Sequence, residues 1–252
     1  MSEIQKNRDF MKCPQFFDIM KTSDQSKGAP HPIQSKPVTG TLTMLPEFEH
    51  LAHTHYPQLL DTRRSERLFT EKPLTQAELA FMLWSAQGMQ RYRGEDKIAI
   101  LRPVPCGGAR HPFELYAVIK NVEGITPGIY RYAPMEHIGE KKVSIEYIGV
   151  FEDYDNRMSA ALAGQKWAAT APVVLFISVI PYRGEWRYVQ ASHRVMLIDL
   201  GHIGQNIMLS AVALGLGSCC IAAYDQKLCD EALGFDGMDE YTVYAVPVGT
   251  PK

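Results

Sequence analysis

Three guanidinium groups and a hydroxyl fall within five residues at Arg63-Arg64-Ser65-Glu66-Arg67. Arginine stays charged near neutral pH and presents a rigid fork of donors that matches phosphate oxygens. Serine adds a short donor and acceptor. The cluster reads either as the anchor for a phosphate-bearing cofactor or as a solvated basic turn. A second stretch favours the anchor: Pro105-Cys106-Gly107-Gly108-Ala109-Arg110-His111-Pro112, where two glycines among small neighbours let backbone approach a flat ligand closely.

Other residue patterns carry less. His50, His53 and His55 are closely spaced, and on a helix the first two share a face as metal ligands do. No carboxylate or cysteine at ligand spacing accompanies them, so surface or packing histidines are the favoured reading. Cys106 and His111 would make a thiol nucleophile and its base, but in a glycine-rich loop they have no geometric reason to meet. Gly215-Leu216-Gly217 imitates half of a dinucleotide fingerprint, yet it follows a helical stretch where the fingerprint must follow a strand. Asp153 and Asp155 lie in polar surroundings and read as solvated. The chain has no P-loop, no HExxH zinc motif and no GxSxG elbow. Nothing points to hydrolysis. An arginine and serine anchor, a glycine platform and small-residue strands suit a large flat cofactor that brings its own chemistry.

The elements that must position these residues are readable in part. Thr75 with Glu78 three residues later is a capping box. Leu79, Met82, Leu83 and Ala86 follow at helical spacing until Gly88, which predicts a core helix. Residues 92–96 are polar and end that element. Residues 114–120, 129–132, 143–148, 172–180, 218–223 and 241–248 read as strands. The fourth of these is almost wholly apolar, as a strand buried on both faces is. Residues 154–167 are helical in character. Residues 194–214 form the longest helical candidate, apolar almost all round, with Gly201 and Gly204 spaced for close approach. Such a helix needs cover on every side, which a second subunit would supply. Helices and strands interleave, giving an α/β or α+β sandwich.

Composition sets the bounds. The 252 residues are 46% hydrophobic and 21% charged, ordinary for a soluble globular protein with a sizeable core. A net charge of -2 argues against a general nucleic-acid binder. Cys13, Cys106, Cys219, Cys220 and Cys229 are odd in number and lack CxxC spacing, and Cys219 and Cys220 read as core thiols. With no secretory signal pattern at the start, a reducing cytoplasm is expected. No stretch approaches about 18 uninterrupted apolar residues, so no membrane span is expected. Residues 1–60 read apart from the rest: residues 22–40 are rich in Pro, Gly, Ser, Gln and Lys, while residues 7–21 carry Phe10, Met11, Phe16, Phe17, Ile19 and Met20. The expectation is an arm and lead-in helix packed on the body or on a partner subunit, ahead of one domain at 61–252.

Three motifs together resemble the FMN-dependent nitroreductase superfamily, in particular its SagB-type or thiazole/oxazole dehydrogenase branch. They are Arg63-Arg64-Ser65-x-Arg67-x-Phe69, Leu83-Trp84-x-Ala86-x-Gly88 and Pro105-Cys106-Gly107-Gly108-Ala109-x-x-Pro112-x-Glu114-x-Tyr116. Residues 124–132, Gly164-Gln165-x-Trp167, Gly201-His202-x-x-Gln205-Asn206 and Gly215-Leu216-Gly217 support it. Order and spacing carry the resemblance, since each motif is short.

The resemblance implies an α+β sandwich, a mixed sheet with flanking helices, and a long central helix that builds a homodimer with FMN at the interface. By it, Arg63, Arg64, Ser65 and Arg67 match the residues that hold the FMN phosphate and ribityl chain. Pro105, Cys106, Gly107, Gly108 and Ala109 match a loop reaching the flavin from the other subunit, with Cys106 replacing the usual serine. Cys220, Ile221, Ala222 and Ala223 match the strand beside the isoalloxazine ring, and Gln165 a polar contact at the flavin edge. Lys252 lies near the family's basic phosphate ligand. The implied activity is ping-pong hydride transfer from NADH or NADPH to a small electron acceptor, which needs no separate dinucleotide domain and no metal. The azoline-oxidising branch uses a Lys-Tyr pair as its base, and the matching pair here is Arg187-Tyr188. Arginine cannot be deprotonated to serve as a base, whereas Tyr188 can still donate a proton or position substrate. Reduction of nitroaromatic or quinone acceptors is therefore expected ahead of azoline oxidation in a peptide-modifying complex. A flavin-binding protein without turnover is the remaining alternative.

Overall fold

The computed structural model describes residues 20–51, 55–94 and 99–252. Phe10, Met11, Cys13, Phe16, Phe17, Ile19 and His53 lie outside the described residues. Nine strands are present among those described: β1 (Leu42–Leu45), β2 (Arg91–Arg93), β3 (Ala99–Leu101), β4 (Phe113–Ile119), β5 (Gly128–Tyr132), β6 (Val143–Gly149), β7 (Val173–Val179), β8 (Gly217–Ser218) and β9 (Tyr241–Gly249). Seven of them form one sheet in the order β1-β6-β5-β4-β7-β9-β8, while β2 and β3 make a separate ribbon. The ladders are antiparallel, and an isolated Ser65–Ser218 bridge adds a parallel component at the β8 edge.

Strand alternation puts a core on each face of this sheet. From β4 and β7, Leu115, Ala117, Ile119, Leu175 and Ile177 face one side, and Tyr116, Val118, Val174 and Phe176 face the other. The helices are α1 (Tyr56–Thr62), α2 (Gln76–Gln87), α3 (Tyr154–Ala161), α4 (Tyr182–Tyr188), α5 (Ser192–Ala213) and α6 (Gln226–Leu233). Leu79, Met82 and Leu83 of α2 and Leu200, Ile203 and Ile207 of α5 complete the first core. Met158 of α3 and Cys229 and Leu233 of α6 complete the second. The fold is thus an α+β sandwich with a long central helix.

The capping box is present, with the Glu78 amide donating to Thr75 Oγ1 and the Thr75 amide to Glu78 Oε2. Two readings need correction. Residues 218–223 are not a continuous strand: β8 stops at Ser218, and only Ile221 pairs again, with Ala245. Beyond it Ala222 and Ala223 are exposed as the chain leaves the sheet for α6. The helical stretch at 154–167 ends at Ala161, because Ala163 and Gly164 adopt φ of 54° and 79°, outside the helical region. Helix α2 ends at Gln87, ahead of the polar run, whose residues 92 and 93 belong to β2 and whose residues 95 and 96 lie outside the described residues.

The stretch Tyr182–Ala213 is long and apolar enough by composition to cross a membrane. Its buried face instead packs on the sheet and on α2. Residues 29–41 run over the sheet as extended chain, held by charge-assisted bonds. The Lys36 amide donates to Glu114 (2.9 Å), Arg131 donates to the carbonyls of Lys36 and Pro37, and the amides of Thr39 and Gly40 donate to Glu146. Glu114 and Glu146 are themselves buried in pairs with Arg183 and Arg131.

Candidate functional site

Helix α5 is the element to which both candidate stretches are tied. The glycine loop docks near its start: the Gly107 amide donates to Asp199 Oδ2 at 3.0 Å. A Cβ on Gly107 would collide with Val195 of α5, and one on Gly108 with the Tyr188 hydroxyl. The glycines are therefore needed for close packing, and at Gly108 also for a φ of 59°. Ala109 and His111 continue with φ of 52° and 43°, a strained run of the kind that persists where surroundings over-determine it. Arg110 braces the turn, donating from Nε to the Gly108 carbonyl (3.0 Å) and stacking 5.0 Å from the Trp186 ring centroid.

Cys106 and His111 do meet, but not as nucleophile and base. The His111 backbone amide donates to Cys106 Sγ at 3.1 Å, while its imidazole Nε2 donates to the Ile100 carbonyl at 2.8 Å. Burial, with the neighbouring Asp199 carboxylate, pushes the Cys106 thiol up to about 12. Burial and the nearby arginines pull His111 down to about 2. A thiol held protonated beside an imidazole turned elsewhere is not an activated nucleophile. Asp199, whose own pKa burial raises, fixes this loop and was not anticipated. Its signal in the sequence is that it is the sole acidic residue of the 22-residue α5.

The arginine and serine stretch lies at the other tie. Ser65 bridges Ser218, the Glu66 amide donates to the Ser218 carbonyl (3.0 Å), and the Lys252 amide donates to the Leu68 carbonyl (3.0 Å). Arg63, Arg64, Ser65, Arg67 and Lys252 are thereby gathered along one edge. Arg64 Nη1 caps the carbonyls of Asp61 and Arg63, and Arg67 lies 5.8 Å from the Trp167 ring centroid. Among the described residues none of these four cations pairs with a carboxylate. Gln165 Nε2 donates to the Ala223 carbonyl (2.9 Å), which joins Gln165 to the run Cys220, Ile221, Ala222 and Ala223. Cys220 packs on α5 at Gly204, and burial pushes its thiol up to about 11, with Cys219 reinforcing the rise and Arg63 opposing it.

Asp199 and Gly204 are five residues apart, which is about 7–8 Å along the axis and about 140° around it. The glycine loop and the anchor edge therefore sit on different sides of α5 in one chain. Just before Asp199 the helix exposes Leu197 (57%) and Ile198 (55%). Donor chemistry at the anchor edge fits a phosphate, and the small side chains of Cys220, Ala222 and Ala223 fit a flat ring. His50 and His55 are exposed, and no group of three or more His, Cys, Asp or Glu among the described residues is arranged to hold a metal.

Comparison with known proteins agrees with this architecture. A Methanocaldococcus jannaschii protein with the provisional name nitroreductase MJ1384 is 32% identical over 205 residues, 81% of this chain and 94% of that protein. The trifolitoxin-processing protein TfxB of Rhizobium leguminosarum bv. trifolii is 30% identical over 151 residues, 58% of this chain and 39% of TfxB. Among solved structures, a provisional nitroreductase from Anabaena variabilis has a TM-score of 0.62 at 26% identity, covering 77% of this chain and 38% of that one. One from Ralstonia eutropha has a TM-score of 0.65 at 20% identity, covering 88% and 96%. NADPH:FMN oxidoreductase from Vibrio harveyi, complexed with NAD+, has a TM-score of 0.53 at 15% identity, covering 78% and 68%. This chain thus spans well under two thirds of TfxB and of the Anabaena protein, and the last two likenesses establish fold alone. Residues 60–250 match the family model described as Nitroreductase family, and on that match the chain belongs to the nitroreductase family.

Proposed function

We infer that the protein is an FMN-dependent NAD(P)H oxidoreductase, a homodimer working in a reducing compartment and passing electrons to a small acceptor such as a nitroaromatic or a quinone. The observation that carries this reading is the gathering of Arg63, Arg64, Ser65, Arg67 and Lys252 beside residues 220–223. Four cations that pair with no carboxylate among the described residues, with the Ser65 hydroxyl beside them, offset a phosphate dianion, and the small side chains of Cys220, Ala222 and Ala223 leave room for a planar ring. FMN, when bound, supplies the hydride exchange that no side chain here can perform. Within the chain, Gln165 offers a polar group at the ring's edge, and Asp199 holds the glycine loop rigid. Tyr188, packed on Gly108, is placed to position a substrate or donate a proton.

Helix α5 supports the dimeric reading. The glycine loop and the anchor edge lie on different sides of that helix, so a loop from a second chain can complete the site. The apolar stripe at Leu197 and Ile198 is the surface that such a partner would cover.

Purified protein is expected to carry flavin absorbance, to bleach with NADH or NADPH without oxygen, and to recover colour with a nitroaromatic or quinone. Arg63→Ala should weaken FMN retention through dialysis by at least about tenfold, the loss of one charge-assisted bond. Retained colour without bleaching would select a binding protein lacking turnover. Full retention of FMN by the variant would remove Arg63 from the anchor. Similarity to TfxB, a processing protein by name, motivates a second reading: azoline oxidation in a modified peptide. Bleaching by an azoline-bearing peptide in place of NAD(P)H would select it.

A further inference from the structure

A cavity of about 630 Å3 opens beside the glycine loop, lined by Arg93, Arg102, Arg110 and Arg187 together with Cys106 and Gly108. No Asp or Glu among the described residues lines it. Four like charges around one space repel, and such a wall draws in an anion. The four arginines are not equivalent. Arg102 is buried and committed to the fold: Nη1 donates to the Gln87 carbonyl and Oε1, and Nη2 to the Gln34 carbonyl. Burial draws its pKa down to about 10, and Arg183 adds to that pull. Arg110 is stacked on Trp186, and burial, with Arg187 adding to it, lowers its pKa. Arg187, like Arg102 at Nε and Arg110 at Nη1, has a buried guanidinium nitrogen, its Nε, with no hydrogen-bond partner among the described residues, and it is only half-buried. Arg93 is exposed on β2.

We propose that this cavity is an oxyanion subsite, in which Arg93 and Arg187 hold a carboxylate or phosphate of the molecule that exchanges electrons at the glycine loop. Arg102 and Arg110 supply a fixed positive field behind it. The proposal rests on the oxidoreductase reading for what happens at the loop, but not for the binding itself. Two sources carry the required chemistry: a carboxylate on the electron acceptor, or the 2′-phosphate that distinguishes NADPH from NADH.

Calorimetric titration of the purified full chain separates these sources. The probes are 4-nitrobenzoate against the neutral 4-nitrobenzyl alcohol, and NADPH against NADH. The wild-type protein is expected to prefer the more anionic member of one pair by at least about tenfold, as one added charge-assisted contact gives. Arg93→Gln and Arg187→Gln should each bring that affinity ratio towards one. A ratio confined to the nitrobenzoate pair assigns the subsite to the acceptor, and one confined to the nucleotide pair assigns it to the reductant. Ratios near one in the wild type, or a preference that survives both substitutions, would overturn the proposal. Arg93 is exposed, so Arg93→Gln remains informative even if Arg187→Gln fails to fold. Arginine-dependent binding by a protein that NAD(P)H cannot bleach would refute the oxidoreductase reading and leave the subsite standing. Bleaching and reoxidation without any preference for charge would do the reverse.

Discussion

At the loop that begins with Cys106, burial sets the protonation states. His111 is enclosed, gives its Nε2 proton to Ile100, and is surrounded by Arg102, Arg110 and Arg183, so it stays neutral. Its folded pKa of about 2 lies below the ordinary 6.5. As pH falls through 6.5 the unfolded chain takes up a proton that the folded chain refuses, and stability is lost progressively on the acid side. The limiting slope from this residue is about 1.4 kcal/mol per pH unit. Urea unfolding between pH 7 and about 4.5 should show that slope reduced in His111→Gln, and identical slopes in the two proteins would contradict it. The arginines and glycines that concentrate here are visible in the sequence because their types advertise phosphate and backbone contact. Asp199 and Arg93 are harder to see. Asp199 acts through a partner 92 residues away, and Arg93 gains meaning only when the ribbon folds it against the loop.

Helix α5 seats the loop through the Asp199 hydrogen bond and through the close approach of Gly107 to Val195. Gly107→Ala forces a methyl into that contact and should destabilise the protein by about 1–3 kcal/mol. Trimming the opposing side chain with Val195→Ala should restore part of the loss. The double-mutant cycle is expected to show coupling above about 0.5 kcal/mol, read from denaturant midpoints. Strict additivity would mean that the loop relaxes elsewhere. Elements defined by local chemistry are the ones readable from sequence. Thr75 and Glu78 announce α2, and the apolar run of β7 announces a strand covered on both faces. Residues 218–223 mislead because Cys220 packs on α5 and Ile221 joins the second core with Met158 of α3, although the chain is leaving the sheet. The three-residue strands β2 and β3 are too short for alternation to register, and they exist through each other.

For the whole molecule, the exposed stripe on α5 is the test of assembly. Leu197→Asp together with Ile198→Asp should halve the mass measured by sedimentation and release bound flavin, because each site would lose the loop contributed across the interface. An unchanged two-chain mass would place the interface elsewhere. Sequence periodicity shows an over-apolar helix, but it cannot say which stripe meets the sheet and which is left over. That division depends on the packing of β8, β9 and α2 around it.

The extended segment over the sheet has a bearing on how this protein can be cut down. Similarity to the family begins at residue 60, yet Lys36, Thr39 and Gly40 supply amides to two carboxylates deep in the body, and Arg131 delivers its guanidinium to carbonyls of that same segment. A fragment trimmed to the boundary of the family match would strand Glu114, Arg131 and Glu146 with donors and acceptors unmet in a water-poor interior. The minimal cooperative unit therefore starts upstream of the recognisable one.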